Sequence, residues 1–344
     1  MVRVTYSAIL VGLALLFTGC SQSAAGLLPG DNSNRTAAQT RVQSELVKNR
    51  EFDDLPRYGS GGSGNYYVGM LAAGPGGLIW VIDDIDQDFG PAIVTGISTS
   101  GKAQHHYSAA SNYFGYQDIT AGPDGALWLT DSYNNRISRL TTNGRFTNYN
   151  VPSHTPLNIT TGPDRALWFT ASGASGGAIG RINTRGKMTF YAVGGQVGDI
   201  TAGPDDALWF TEQQPTDAIG RIALDGIIRS YTTGIHSLPN CIALGPDGAL
   251  WFGENGGNIG RITTSGKVKE YSHASRINDI AAGPDGAMWF TEGSQIGRIS
   301  MSGVITEYAN GLLSNADPWG IVEGPDERMW FTDYNNNETG RVTP

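Results

Sequence analysis

The chain has 344 residues, 48 of them glycine, roughly twice ordinary usage, and only 16% charged side chains, well below the usual quarter. That balance argues against a helix-rich enzyme or coiled coil, and glycine without a Gly-X-Y period excludes collagen, while 39% hydrophobic residues exclude wholesale disorder. A formal charge of −9 with no block of Lys or Arg excludes nucleic acid and anionic lipid surfaces as partners, and the two cysteines, Cys20 and Cys241, can build neither a disulfide framework nor a cysteine-based zinc site.

In chain order, Arg3 precedes an apolar run from Ala8 to Phe17, suited to a signal-peptide core and too short to cross a bilayer. Residues 1–19 are therefore expected to be a leader. The segment Phe17-Thr18-Gly19-Cys20-Ser21 resembles the lipobox of bacterial lipoproteins. The resemblance implies cleavage before Cys20 and acylation of its thiol, with plain secretion as the alternative. The product is expected outside the cytoplasm, as a lipoprotein of the cell membrane or outer membrane or otherwise secreted, touching a membrane only through Cys20. Residues 20–50, rich in Ser, Ala, Asn, Gln and Thr, read as a tether.

From there the tryptophans set the organisation. Trp80, Trp128, Trp168, Trp209, Trp251, Trp289 and Trp330 recur at spacings of 38 to 48 residues, and Trp319 falls outside the series. Each is preceded by a turn of the type Gly245-Pro246-Asp247-Gly248, in which Pro fixes φ, Asp suits the next position and Gly accepts a left-handed one. Arg165, Asp206 and Glu327 occupy that last position in three repeats and are expected to bear the strain. Within the sixth repeat, 279–282, 287–291, 296–299 and 304–308 read as four short antiparallel strands, the signature of a propeller blade. Seven periods of about 42 residues, counted back from Pro344, begin near Glu51. The expected fold is all-β: a seven-bladed β-propeller over residues 51–344, four antiparallel strands per blade. The seventh repeat stops after its third strand, so Glu51–Tyr58 is expected to supply its fourth and lock the ring.

The recurring Gly-Pro-Asp-Gly-Ala-Leu-Trp-Phe-Thr-Glu, Ile-Gly-Arg-Ile-Thr and Gly-Lys-Val-x-Glu-Tyr segments resemble the virginiamycin B lyase (streptogramin lyase) family of seven-bladed propellers. The resemblance implies opening of a cyclic depsipeptide antibiotic by elimination across an ester linkage, with Mg2+ as cofactor and reactive groups in the last two blades. The family's histidines stand two residues before the first-strand Ile of blades six and seven. Those positions are Asn278 and Trp319 here. Removing a proton next to a carbonyl near neutral pH suits imidazole, and neither carboxamide nor indole replaces it. The family's acidic residues correspond to Asp317 and Asp333, the expected metal ligands.

Residues alone add three readings. Asp83, Asp131, Glu212, Glu254, Glu292 and Asp333 each stand three positions after a tryptophan, where the third repeat has Ala171. Such a ring could hold a hard cation or a basic ligand through Glu254 and Glu292. Repetition instead favours pairing with the third-strand arginines 139, 181, 221, 261, 298 and 341. His154, His236 and His273 fall on fourth-to-first connections at differing offsets, each a candidate replacement base or an ordinary loop histidine. Trp319 either stacks on a sugar or apolar ring in the central funnel or packs on a neighbouring blade, and Asn278 is a further candidate ligand contact. Cys241 reads as a buried thiol. Two functions follow: a lyase opening a cyclic depsipeptide ester, or a non-catalytic surface propeller binding a small cyclic peptide, glycan or protein in its funnel. The protein is expected to be a monomer.

Overall fold

The computed structural model describes residues 66–85, 92–108 and 115–344. The leader, Cys20, the tether and the strand expected at Glu51–Tyr58 lie outside the described residues. Six four-stranded sheets and one three-stranded sheet follow one another along the chain, every pairing antiparallel and between sequence neighbours. The blades span 66–108, 116–150, 154–192, 196–231, 239–271, 277–308 and 318–342. First strands of successive blades pack side by side, and that of blade 7 (Pro318–Glu323) packs on that of blade 1 (Tyr66–Gly74), so the sheets form a ring.

Each repeated tryptophan lies on the second strand of its blade and is at most 2% exposed. The hydrophobic clusters it joins are shared between blades. Trp251 of blade 5 packs with Ile280, Met288 and Phe290 of blade 6, and Trp330 of blade 7 packs with Val68, Ile79 and Val81 of blade 1. Burial of such large rings is the main source of stability, at roughly 25 cal/mol per Å2 of apolar surface, and here it is gained only when neighbouring blades meet.

The third-strand Ile-Gly-Arg motif follows from that packing. Gly260 stands opposite Phe252, and a Cβ at Gly260 would come within 2.0 Å of the Phe252 ring. Glycine there clears space for the ring, which frees the following Arg261 to face the tryptophan side. In the turns, Arg165, Asp206 and Glu327 adopt φ of 60°, 54° and 56°, the left-handed conformation expected of them.

The arginine partners differ from the expected ones. Arg139, Arg181, Arg221, Arg261 and Arg298 each place Nε 2.6 Å from the turn aspartate of their own blade, Asp124, Asp164, Asp205, Asp247 and Asp285, and Arg341 reaches Asp326 at 3.0 Å. Register is the reason. Arg261 lies directly across from Trp251, beside the turn, whereas Glu254 stands three residues further on, at the other end of the strand and on its opposite face. The other oxygen of Asp247 accepts the indole N–H of Trp251 at 3.0 Å and the Ala249 N–H at 3.2 Å. Burial opposes ionisation of Asp247, but the hydrogen bonds from Trp251 and Arg261 outweigh it and hold the carboxyl below its ordinary value.

Candidate functional site

The first strand of every blade shifts register against the second just before its core residue. In blade 6 the shift falls between Ile277 and Asp279, and in blade 7 between Pro318 and Ile321. Asn278 and Trp319 are therefore bulge residues, and a bulge re-aims a side chain out of the regular alternation. Second-strand threonines steady these bulges: the Thr291 hydroxyl accepts the Asp279 N–H at 3.1 Å and donates to the Trp319 carbonyl of the next blade.

Around these two positions polar and aromatic side chains gather. The Asn278 amide donates to the Pro318 carbonyl at 2.9 Å, spending part of its capacity on joining blade 6 to blade 7. Trp319 is half-buried, with the Tyr334 ring 6.1 Å away at a 41° tilt and the exposed Arg276 guanidinium 5.9 Å from its centroid. Trp319 thus packs against Tyr334 of its own blade rather than on a neighbouring one, and remains partly exposed. Asp317 and Asp333 lie side by side, with the Asp317 N–H bonded to Asp333 Oδ1 at 2.9 Å and the Asn336 amide donating to Oδ2 at 2.7 Å. Burial, together with the charge of Asp333, raises the Asp317 carboxyl above its ordinary value, and Arg276 partly offsets the rise.

The other acids after the tryptophans are buried within their blades. Glu254 is fully buried, accepts the His236 N–H at 3.3 Å and the Asn258 amide at 3.4 Å, and has its carboxyl raised by burial and by Glu270. Asp131 pairs with Arg136 at 2.6 Å. Glu292 is held by the ring of His273, whose other nitrogen lies 3.8 Å from Glu307. His273, Glu292 and Glu307 are a group of metal-ligating side chains among the described residues. His236 bonds Glu270 at 2.6 Å, and His154 stacks on Phe190 at 4.8 Å.

Along the axis the first strands of blades 2, 4 and 6 carry Asp118, Asp199 and Asp279, a feature absent from the sequence reading. Each accepts two backbone N–H groups: that of its own following isoleucine, and that of Ile159, Ile242 or Ile321 in the next blade, at 2.8 Å. Burial raises all three carboxyls despite those bonds, Asp199 to about 6 and Asp279 to about 7, the latter also through repulsion from Asp199. Cys241, buried as expected, faces the same charges, which add to burial in pushing its thiol up.

The family profile described as Virginiamycin B lyase family matches residues 60–309 and 272–344. A streptogramin B lyase structure is 30% identical, with a TM-score of 0.74, and the match covers 87% of this chain and 97% of that one. A catalytically inactive histidine-to-alanine variant of virginiamycin B lyase from Staphylococcus aureus, crystallised with quinupristin, is 31% identical over 88% of this chain and 100% of that one, also at a TM-score of 0.74. The WD40 β-propeller domain of Doa1, 11% identical with a TM-score of 0.66 over 82% of this chain and 94% of that one, shares the fold alone. No curated protein sequence matches the chain.

Proposed function

The chain belongs to the virginiamycin B lyase family, and we propose that it keeps the family's binding site between blades 6 and 7 while having lost the histidine-driven elimination. Its ligand is a small cyclic peptide or a similar ring-bearing molecule. The observation that carries this reading is the pair of bulge residues. Asn278 and Trp319 stand at the family's base positions, Asn278 is tied to Pro318, and Trp319 offers an aromatic face flanked by Tyr334 and Arg276. The three connection histidines contact Phe190 in blade 3, Glu270 in blade 5 and Glu292 in blade 6, partners outside the Asn278–Trp319 pair.

The donor chemistry suits the magnesium ion that the family implies: the Asp333 carboxylate accepts the Asp317 backbone N–H and its charge acts on the neighbouring Asp317 carboxyl, and two such carboxylates offer oxygen ligands for a hard cation. Asp317 and Asp333 would hold it. When bound, such an ion supplies positive charge that polarises a carbonyl. Trp319 then supplies a stacking surface, and Arg276 a cationic rim able to bond ligand carbonyls. The leader and Cys20 support an exported, lipid-anchored protein presenting this site outside the cytoplasm.

A second reading, elimination with Asp317 as proton acceptor, is favoured by the raised carboxyl of that residue. The full-length protein, incubated with quinupristin and Mg2+, separates the two. Binding followed by tryptophan fluorescence, weakened at least tenfold in Trp319→Ala, with the ring intact by chromatography and mass spectrometry, is expected. A chromatographically shifted linear product of unchanged mass, abolished by Asp317→Asn, would overturn the binding-only reading.

A further inference from the structure

Blades 5 and 6 carry the same three residue types at equivalent places: a histidine on the incoming connection, a glutamate ending the second strand, and a glutamate on the fourth strand just before its tyrosine. In blade 5 these are His236, Glu254 and Glu270, and in blade 6 His273, Glu292 and Glu307. Both sets lie in contact, His236 bonding Glu270 at 2.6 Å and its backbone N–H bonding Glu254 at 3.3 Å, but among the described residues it is the second that brings three ligand atoms together. One ligand atom from each of His273, Glu292 and Glu307 lies within 4.8 Å of the other two.

We propose that His273, Glu292 and Glu307 form a binding site for a divalent transition-metal ion such as Zn2+, separate from the Asp317–Asp333 pair. Nitrogen and carboxylate oxygen together suit a borderline ion of this class better than magnesium, which takes oxygen ligands. An ion pair alone accounts for only part of the arrangement. The His273 side chain is 6% exposed and the Glu292 side chain 2%. Glu292 Oε2 faces His273, but its Oε1 is buried with no hydrogen-bond partner, and Glu307 stops 3.8 Å from Nδ1, beyond hydrogen-bonding reach. A buried carboxylate oxygen left without a partner is costly, and a cation satisfies it.

The ring is also oriented as ligation requires. A metal-binding imidazole uses one nitrogen and has the other fixed by an acceptor, commonly a carboxylate. His273 has a carboxylate on each side, and the Phe290 ring at 5.5 Å and 73° fixes its plane. Glu307, on the opposite ring nitrogen from Glu292 and with its side chain 45% exposed, is the acceptor that closes on Nδ1–H when an ion takes Nε2 beside Glu292, with water completing the coordination. In blade 5 Glu254 is satisfied by the His236 backbone and by Asn258, the buried oxygen without a partner belongs to Glu270 instead, and the His236 side chain is 69% exposed.

Zinc alone, titrated calorimetrically into the full-length protein near pH 7, tests the site. One equivalent is expected, with affinity at least tenfold weaker in Glu307→Gln and in His273→Gln and unchanged in Glu270→Gln. Because Glu307 is on the exposed edge, its variant keeps the fold intact. Cobalt substitution supplies an independent signature: a visible absorption band that His273→Gln abolishes and Glu307→Gln weakens. Absence of saturable zinc binding, or binding and a cobalt band indifferent to both blade 6 substitutions, would overturn the proposal.

Discussion

Asp279 offers a direct measurement of what the axial carboxylates cost. Its midpoint moves from 3.8 to about 7, driven by burial and by Asp199 and opposed by the N–H groups of Ile321 and Ile280. At about 1.4 kcal/mol for each tenfold in proton affinity, folding with this group ionised is disfavoured by about 4 kcal/mol relative to folding with it protonated. The sign follows from proton counting. Between pH 4 and 7 the folded chain binds a proton that the unfolded chain has released. That stabilisation is complete below about pH 4 and is lost as pH rises through the folded midpoint, with a limiting slope of about 1.4 kcal/mol per pH unit. Urea unfolding of the wild type and Asp279→Asn, followed by tryptophan fluorescence between pH 4.5 and 8, isolates the effect. The amide keeps one of the two N–H bonds and turns a donor toward the other, a pH-independent loss of about 1–3 kcal/mol. The difference between the two curves should therefore shrink as pH rises, by on the order of 3 kcal/mol across the window. Groups away from the axis, Glu254 among them, titrate in both proteins and cancel, while Asp118 and Asp199, which share repulsion with Asp279, shift modestly in the variant. Parallel curves would refute the assignment of the proton to Asp279.

Two further predictions test the repeat itself. Gly260→Ala, with its Cβ at 2.0 Å from the Phe252 ring, should destabilise by about 1–3 kcal/mol or more through overpacking, whereas Gly248→Ala, in open space at φ +71°, should cost only about 1 kcal/mol of backbone strain; equal midpoints in urea would refute the distinction. Asp247→Ala should cost about 1–3 kcal/mol because it orphans the buried Trp251 indole N–H, against less than about 1 kcal/mol for Arg261→Ala, whose side chain is 25% exposed; thermal denaturation giving the reverse order would count against the turn aspartate as the central acceptor.

The blade count, strand order and turn conformations were legible because each blade repeats the same packing problem, and a tryptophan that must fill an interface recurs in the sequence. The arginine partners were less legible. Both a turn aspartate and a strand-end glutamate recur at fixed distances from the tryptophan, and repetition alone does not choose between them. Two-residue alternation does, since Glu254 stands an odd number of residues from Trp251 and so faces away from Arg261. The connection histidines were hidden by loop length. His236 and His273 stand at different distances from Ile242 and Ile280, yet each meets the residue before the fourth-strand tyrosine, Glu270 or Glu307. The cluster at Trp319 was visible only as a break in the pattern, because a bulge residue has no partner in register to betray where it points. Asp118, Asp199 and Asp279 did leave a signal, an Asp before the first-strand Ile in every second repeat, but its meaning depends on a neighbour about 40 residues away.

That alternation has a consequence of parity. The clamps from Asp118 to Ile159, Asp199 to Ile242 and Asp279 to Ile321 join blades 2 with 3, 4 with 5 and 6 with 7. An odd ring cannot be tiled by pairs, so blade 1 is left over, with Met70 at the clamp position. The molecule is thus three dimeric units and a single wedge rather than seven equivalent parts, and its joints are of two grades. Asn278 and Trp319 flank a clamped joint, whereas the joints between blades 1 and 2, 3 and 4, 5 and 6, and 7 and 1 lack this aspartate clamp.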